Sequence, residues 1–382
     1  MIKILSVFGT RPEAIKMAPL VNLLQKSEDF QSVVCVTAQH REMLDQVLDI
    51  FQIRPDYDLD IMKDRQSLTD IMVNALIGLE NVIKEVKPDM VLVHGDTSTT
   101  FCGALASYYN RVQLGHVEAG LRTFNKYYPY PEEMNRKLTG VLADIHFAPT
   151  NNSKNNLLAE GVSRDSIYIT GNTVIDALKT TVRKDYIFSN PMLRTLDYSK
   201  KVILVTAHRR ENLGQPLMNI CNALKAIVEN YKDVEIVYPV HMNPAVRDIV
   251  FSILGGQERI HLIDPVDVLE MHNLMDRCYL VLTDSGGLQE EAPSLGKPVL
   301  VLRGETERPE AIEFGTLKLA GTDEKNIYSM TSLLLDDRNE YDKMANAVNP
   351  YGDGCASERI ANSILYHFGK IKEKPEDFIP KQ

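Results

Sequence analysis

Three carboxylates in the first half of the chain are of a type and placement that could do acid–base chemistry. Asp96 follows the run "MVLVH" in "VLVHGDTSTT", Glu118 follows "VQLGHV" in "LGHVEAGLRT", and Glu132 opens an amphipathic stretch in "YPEEMNRK". Glu118 is the hardest to explain by packing, because a carboxylate at the end of a buried run needs a partner. Asp96 could instead cap a helix that follows it, and Glu132 could be a solvated residue paired at i+4 with Arg136. Several acids grouped at strand ends suit proton transfer to and from a bound organic ligand. His208 in "VTAHRRE" joins them, beside Arg209 and Arg210 at the end of another apolar run. His94, His116 and His146 read as core or hydrogen-bonding residues.

A second group of residues suits an anion. In "YLVLTDSGGLQEEAPSLGKPVLVL" a strand gives way to Asp284 and Ser285, which can cap a helix, and to Gly286 and Gly287, which open it. Two glycines at a helix start expose backbone N–H groups and let a phosphate approach closely, although an ordinary capped turn has the same letters. Glu290 and Glu291 lie one turn deeper. They could accept hydrogen bonds from ribose hydroxyls or simply complement the helix dipole. "GTRPEAIK" makes a similar junction, with Arg11 offering a fork of donors, Pro12 suiting the first helical turn and Lys16 adding a point charge. There is no G-x-G-x-x-G after a strand, no G-x-x-x-x-G-K-[ST] and no H-E-x-x-H, so neither a cofactor nor a metal is expected.

The elements that must position these groups read as two series of strands. "IKILSVFG", "SVVCVTA", "MVLVHGD", "VQLGHVEA", "IHFAPT" and "SIYITG" alternate with helical patterns, and so do "KVILVTAH", "VEIVYPVH", "RIHLID", "YLVLTDS", "PVLVLRG" and "TLKLAG". Strands so uniformly apolar are buried on both faces, as in parallel sheets covered by helices. The expectation is therefore α/β: a domain over 1–170 and a second over 171–356, with a final helix within 357–382 that could pack on either. The linker is expected near "KDYIFSNPMLRTLDYSKK". "VFGTRPE" and "VTAHRRE" share V-x-x-x-R-x-E at the ends of the two first strands. Ligands of open α/β sheets bind beyond the carboxyl ends of strands, so two such domains facing across a cleft would line it with basic groups.

Composition narrows the function classes. The 382 residues carry a net charge of −10 with 25% charged residues and no Lys/Arg run, which argues against a nucleic-acid partner. No apolar run approaches the roughly 18 residues of a membrane span. The five cysteines are scattered and odd in number, and the N-terminus reads as a strand and not a leader, so a cytoplasmic protein without disulfides is expected.

These segments, with "TAQHREMLDQVL", "PEEMNR" and "GNTVIDAL", closely resemble the bacterial non-hydrolysing UDP-N-acetylglucosamine 2-epimerases over nearly the whole chain. The resemblance implies a GT-B-like fold of two Rossmann-like domains, a homodimer, and reversible conversion of UDP-GlcNAc to UDP-ManNAc for cell-surface polysaccharide. It implies catalytic roles for Asp96, Glu118, Glu132 and His208. Arg11, Lys16, Ser285, Gly286, Gly287, Glu291 and Arg308 would bind substrate, with Val266 and Met271 against the uracil. An allosteric UDP-GlcNAc would meet Gln39, Glu42 (where Gln is familiar), Arg65, Arg209 and His241. A hydrolysing epimerase, a GT-B glycosyltransferase and a silent nucleotide-sugar sensor are the alternatives; the sensor would keep the phosphate site but lose carboxylates.

Overall fold

The computed structural model describes residues 1–38, 41–63 and 66–381, except the side chains of Glu42 and Met43. The first strands are β1 (Ile2–Phe8), β2 (Phe30–Val36), β3 (Tyr57–Asp58), β4 (Met90–His94), β5 (Gln113–Val117), β6 (Ile145–Ala148) and β7 (Ile167–Ile169). They form one parallel sheet in the order β3-β2-β1-β4-β5-β6-β7. The later strands are β8 (Lys201–Thr206), β9 (Val234–Pro239), β10 (Ile260–Ile263), β11 (Leu280–Thr283), β12 (Val299–Val301) and β13 (Leu317–Leu319). They form a second parallel sheet in the order β10-β9-β8-β11-β12-β13. Parallel neighbours need a crossover, and helices supply it, covering strands such as β4 that are buried along their whole length. All twelve apolar runs singled out in the sequence are strands. β3 was not anticipated: two residues in the Asp- and Pro-rich "RPDYDLD" carry no periodicity, and only pairing with Cys35 and Val36 makes them a strand.

Each sheet reverses its strand order once, between β1 and β4 and between β8 and β11. Such a reversal leaves a crevice at the carboxyl ends of the two strands, because their following helices lie on opposite faces. "GTRPE" and "GDTSTT" leave the first pair; "AHRREN" and "DSGG" leave the second.

The chain divides into one unit of Met1–Thr180 with Tyr351–Ile379 and another of Thr181–Pro350 with Pro380–Gln382. The division thus falls ten residues later than the expected 170/171. The helix Thr173–Thr181 stays with the first unit because buried Asp176 accepts the amides of Ala356 and Ser357. That capping starts the final helix, Ala356–His367, whose Ile360, Ala361, Ile364 and Leu365 join the first unit's core. Beyond it, the Phe378 amide donates to the Ile169 carbonyl (2.7 Å) and Asp377 accepts the Ile169 amide (2.8 Å), which covers the β7 edge.

The segment near which the linker was expected, 184–201, begins just after the division at 180/181 and is itself packed into the second unit. Tyr186 meets Phe188 edge-on, Phe188 stacks on Tyr198, the Arg277 guanidinium lies over Phe188 and Tyr198, and buried Glu270 accepts the amides of Ser189 and Asn190. These contacts fold the segment into the second unit, where its weak periodicity in sequence is replaced by aromatic packing. All five cysteines are free thiols. Among the described residues no helix is long and apolar enough to cross a membrane, and no group of three or more His, Cys, Asp or Glu could hold a metal ion.

Candidate functional site

In the first unit the crevice is built around Glu13, which is only 2% exposed. Its Oε2 accepts the Gly9 amide (3.0 Å) and the Thr10 amide (2.8 Å), and its Oε1 accepts the Thr97 hydroxyl (2.7 Å). Glu13 therefore ties the turn after β1, which carries Arg11, to the turn after β4, which carries Asp96. Gly9 is required there, since a Cβ would stand 2.0 Å from Thr37 Oγ1.

Asp96 accepts from the Arg136 guanidinium at 2.5 Å, and the same guanidinium is 3.5 Å from buried Glu133. The i+4 pairing of Arg136 with Glu132 expected from spacing is thus not made. Glu133 is 3% exposed while Glu132 is half-buried, so the deeper acid and Asp96 have more to gain from the cation. Glu133 also accepts the amides of Thr123 (3.1 Å) and Phe124 (3.0 Å), fixing the aromatic loop before the helix Glu132–Leu142. Among the described residues, Arg11 and Glu132 have no side-chain hydrogen bond or ion pair.

Glu118 follows β5 with φ at +62°, in the left-handed region that few side chains adopt. Its Oε2 lies 2.6 Å from Lys16 Nζ and 2.8 Å from His94 Nε2, and its side chain is 7% exposed. Burial alone would raise this carboxyl, but the charges of Lys16 and His94, with their hydrogen bonds, hold it well below the usual range. Lys16, expected from sequence as an anion contact, has this carboxylate as its close partner. Beneath it, the His116 Nε2–H donates to the Gly95 carbonyl (2.7 Å).

In the second unit the corresponding acid is Asp284, fully buried. It accepts the amides of His208 (2.7 Å) and Arg209 (2.8 Å) and the Asn212 side chain (3.0 Å), holding the turn after β8 against the turn after β11. The His208 ring stacks on His241 at 5.1 Å, and Arg209 Nε reaches the Asp284 carbonyl (3.3 Å). Burial lowers His208; Asp284 opposes that, and His241 and Arg209 add to it. The helix Gly286–Ser294 starts with Ser285 as its N-cap, and no side chain caps its free N–H groups. The Arg308 guanidinium lies over that start, 3.4 Å from where a Cβ on Gly286 would be, held by a 2.7 Å bond to buried Glu290. The two adjacent acids thus separate: Glu290 holds Arg308, while Glu291 stays partly open, 3.5 Å from His272. Val266 and Met271 flank the start of the helix Val268–Arg277, beyond β10. Arg209 and His241 lie side by side with His208, whereas Gln39, Arg65 and the Glu42 side chain lie outside the described residues.

A family model described as UDP-N-acetylglucosamine 2-epimerase matches residues 22–365. The chain belongs to the UDP-N-acetylglucosamine 2-epimerase family. It is 58% identical over 380 residues to the UDP-N-acetylglucosamine 2-epimerase of Bacillus subtilis, covering 100% of this chain and 99% of that one. The Escherichia coli K12 enzyme is 55% identical over 370 residues, with 95% and 98% covered. Among solved structures, UDP-GlcNAc 2-epimerase from Neisseria meningitidis bound to UDP-GlcNAc is 50% identical, covers 96% of this chain and 100% of that one, and superposes with a TM-score of 0.88. The fold is GT-B-like and the chain is an isomerase of this epimerase type.

Several residues that shape this epimerase site were not singled out as site residues from sequence. Glu13 had a signal, the T-x-x-E spacing of a capping box from Thr10. Glu133, Asp284 and the contact of His94 with Glu118 had none, because each depends on pairing between distant segments.

The buried histidines give the epimerase an acid-sensitive core. Burial pushes His116 down to about 3 and His146 to about 4, against an ordinary 6.5. Below pH 6.5 the unfolded chain binds protons that the folded chain excludes, so stability is lost as pH falls, until about 4 for His146 and about 3 for His116. Each histidine contributes a slope of up to about 1.4 kcal/mol per pH unit. Urea unfolding between pH 6.5 and 4.5 should show a shallower loss for His146→Gln than for the parent, and parallel curves would contradict the assignment.

Proposed function

We propose that the enzyme interconverts UDP-GlcNAc and UDP-ManNAc by eliminating UDP and adding it back. The observation that carries this is Glu118, an ionised, buried and ion-paired carboxylate at a strand end, with Asp96 and Glu132 on neighbouring segments. Carbon 2 of the sugar has no adjacent carbonyl, so its hydrogen is a poor acid. Loss of UDP from carbon 1 supplies the driving force: a carboxylate takes the C2 proton, the C1–O electrons leave with the β-phosphate, and a C1=C2 bond forms in 2-acetamidoglucal. A proton delivered to the opposite face of C2 and attack of the phosphate oxygen on C1 complete the epimer. The Gly286 helix start, with Arg308, and Arg11 stabilise UDP as its charge grows. Asp96, Glu118 and Glu132 carry the proton transfers, and His208 faces the departing phosphate. Val266 and Met271 bound the uracil, and Glu291 accepts from the ribose.

The enzyme acts in the cytoplasm and supplies UDP-ManNAc as a donor for surface polysaccharide; deleting the gene should remove ManNAc from that polymer. It pairs with a second copy. Val73 and Ile77 (56% exposed), Tyr108, Tyr109 and Val141 (76% exposed) are large exposed apolar side chains on three helices that pack side by side, the kind of surface a second copy would cover. Light scattering that returned the mass of one chain would refute the pairing. Arg209 and His241 serve a second, activating UDP-GlcNAc, so epimerisation of UDP-ManNAc should accelerate when a trace of UDP-GlcNAc is added.

Two measurements address the chemistry. Glu290→Gln keeps an acceptor but removes the charge that holds Arg308, and should weaken UDP binding by about 1–2 kcal/mol, roughly tenfold. Unchanged affinity by calorimetry would take Arg308 out of the diphosphate site. Turnover in D₂O should place deuterium at carbon 2 of the epimer and, on reversal, of the starting sugar nucleotide. Epimerisation with full retention of the original hydrogen at carbon 2 would count against transfer to a carboxylate that exchanges with water.

A further inference from the structure

Glu118 is held by two residues on different elements, and both act on the same atom. Lys16 Nζ, from the helix Arg11–Lys26, and His94 Nε2, from the end of β4, each approach Oε2. Among the described residues no donor reaches Oε1. The carboxylate therefore has one anchored oxygen and one left to act.

The ordinary reading of His94 is a core histidine satisfied by its surroundings. Its contacts do not fit that. The side chain is 5% exposed, neither ring nitrogen has a well-directed hydrogen bond, and its close polar contact is Nε2 at 2.8 Å from Glu118 Oε2. A buried nitrogen without a partner is a standing penalty of about 1–3 kcal/mol. A residue chosen for packing alone would avoid it. Moreover, Lys16 alone could neutralise the charge but not set the direction of the carboxylate. An ammonium on a four-carbon stem is a rotatable point charge, whereas a buried ring at the end of a central strand is a rigid wall with little freedom to move. The left-handed backbone at Glu118 needs such support, because strained backbone persists only where its surroundings over-determine it.

Resting on the acid–base role of Glu118 given above, we infer that His94 is a positioning residue that, with Lys16, clamps Glu118 Oε2 so that Oε1 is the atom presented to the hydrogen on carbon 2. The Nε2 edge of the imidazole lies against Oε2, 2.8 Å away. This orients Oε1 when the carboxylate takes the proton and keeps the carboxylic acid in place until that proton leaves.

The test compares two substitutions of matched polarity. His94→Gln places an amide N–H near the position of Nε2, while the His94→Asn amide stops one methylene short. His94→Asn should lower kcat by up to about 100-fold, the cost of misplacing a reacting group by about 1 Å, with UDP affinity unchanged. His94→Gln should recover most of that rate. Glu118→Gln should lower kcat by about 10²–10⁴-fold, and adding His94→Asn to it should cause no further loss. A parental kcat in His94→Asn, an equal loss in His94→Asn and His94→Gln, or the same fold loss from His94→Asn in both backgrounds would each overturn the inference. A Glu118→Gln enzyme with the parental rate would instead remove the acid–base role of Glu118, and the inference with it. Thermal melts of both His94 variants separate misfolding from mispositioning: a melting temperature that fell in step with kcat in both would also overturn the positioning role.

Discussion

A carboxylate that must stay ionised while buried needs compensation worth several kcal/mol, and Glu118 is such a group. Much of the first unit can be understood as meeting that need. The parallel order β1-β4-β5 sets three strand ends side by side. The helix after β1 brings Lys16, the end of β4 brings His94, and the residue after β5 is Glu118 itself. Neither neighbour could be replaced by an adjustment within one segment, because the three groups come from separate parts of the chain. The same reasoning extends outward to Glu13. Among the described residues it has no cation partner, but it gains amide and hydroxyl donors and thereby fixes the Arg11 turn against the Asp96 turn.

The two units use the same device with the parts exchanged. Each has a buried acid that spans the point where strand order reverses. In the first unit it is Glu13, on the β1 side, reaching the segment after β4; in the second it is Asp284, on the β11 side, reaching the segment after β8. The shared V-x-x-x-R-x-E pattern therefore marks equivalent places without marking equivalent roles. Glu211, which matches Glu13 in the pattern, is 43% exposed and pairs with Arg303 at 2.6 Å. What the units share is the topological need to close a crevice, and different residues meet it.

The fold was legible because both sheets are parallel and buried, so their strands appear as unbroken apolar runs such as "MVLVH" and "KVILVT". β3 and the aromatic packing of Tyr186, Phe188 and Tyr198 were not legible, since neither has a period and both depend on tertiary partners. At the site, placement at strand ends was readable for Asp96, Glu118, His208 and the Gly286 turn. Pairing was not: spacing assigned Arg136 to Glu132, but Asp96, forty residues away, takes it. For Lys16, read from sequence as an anion contact, spacing did not show the pairing with Glu118 at 2.6 Å. Local spacing shows which residues can meet along one helix, whereas buried charge is settled by whichever distant segment can compensate it.

The elimination route requires that the C1–O bond break during every epimerisation. It can be tested with UDP-GlcNAc carrying oxygen-18 in the bridge between carbon 1 and the β-phosphorus. If UDP departs and returns, rotation of its β-phosphate before re-addition should move part of the label to non-bridging positions, visible as phosphorus-31 shifts in recovered substrate and product. A mixture brought to full C2 equilibrium with all the label still in the bridge would contradict cleavage at carbon 1.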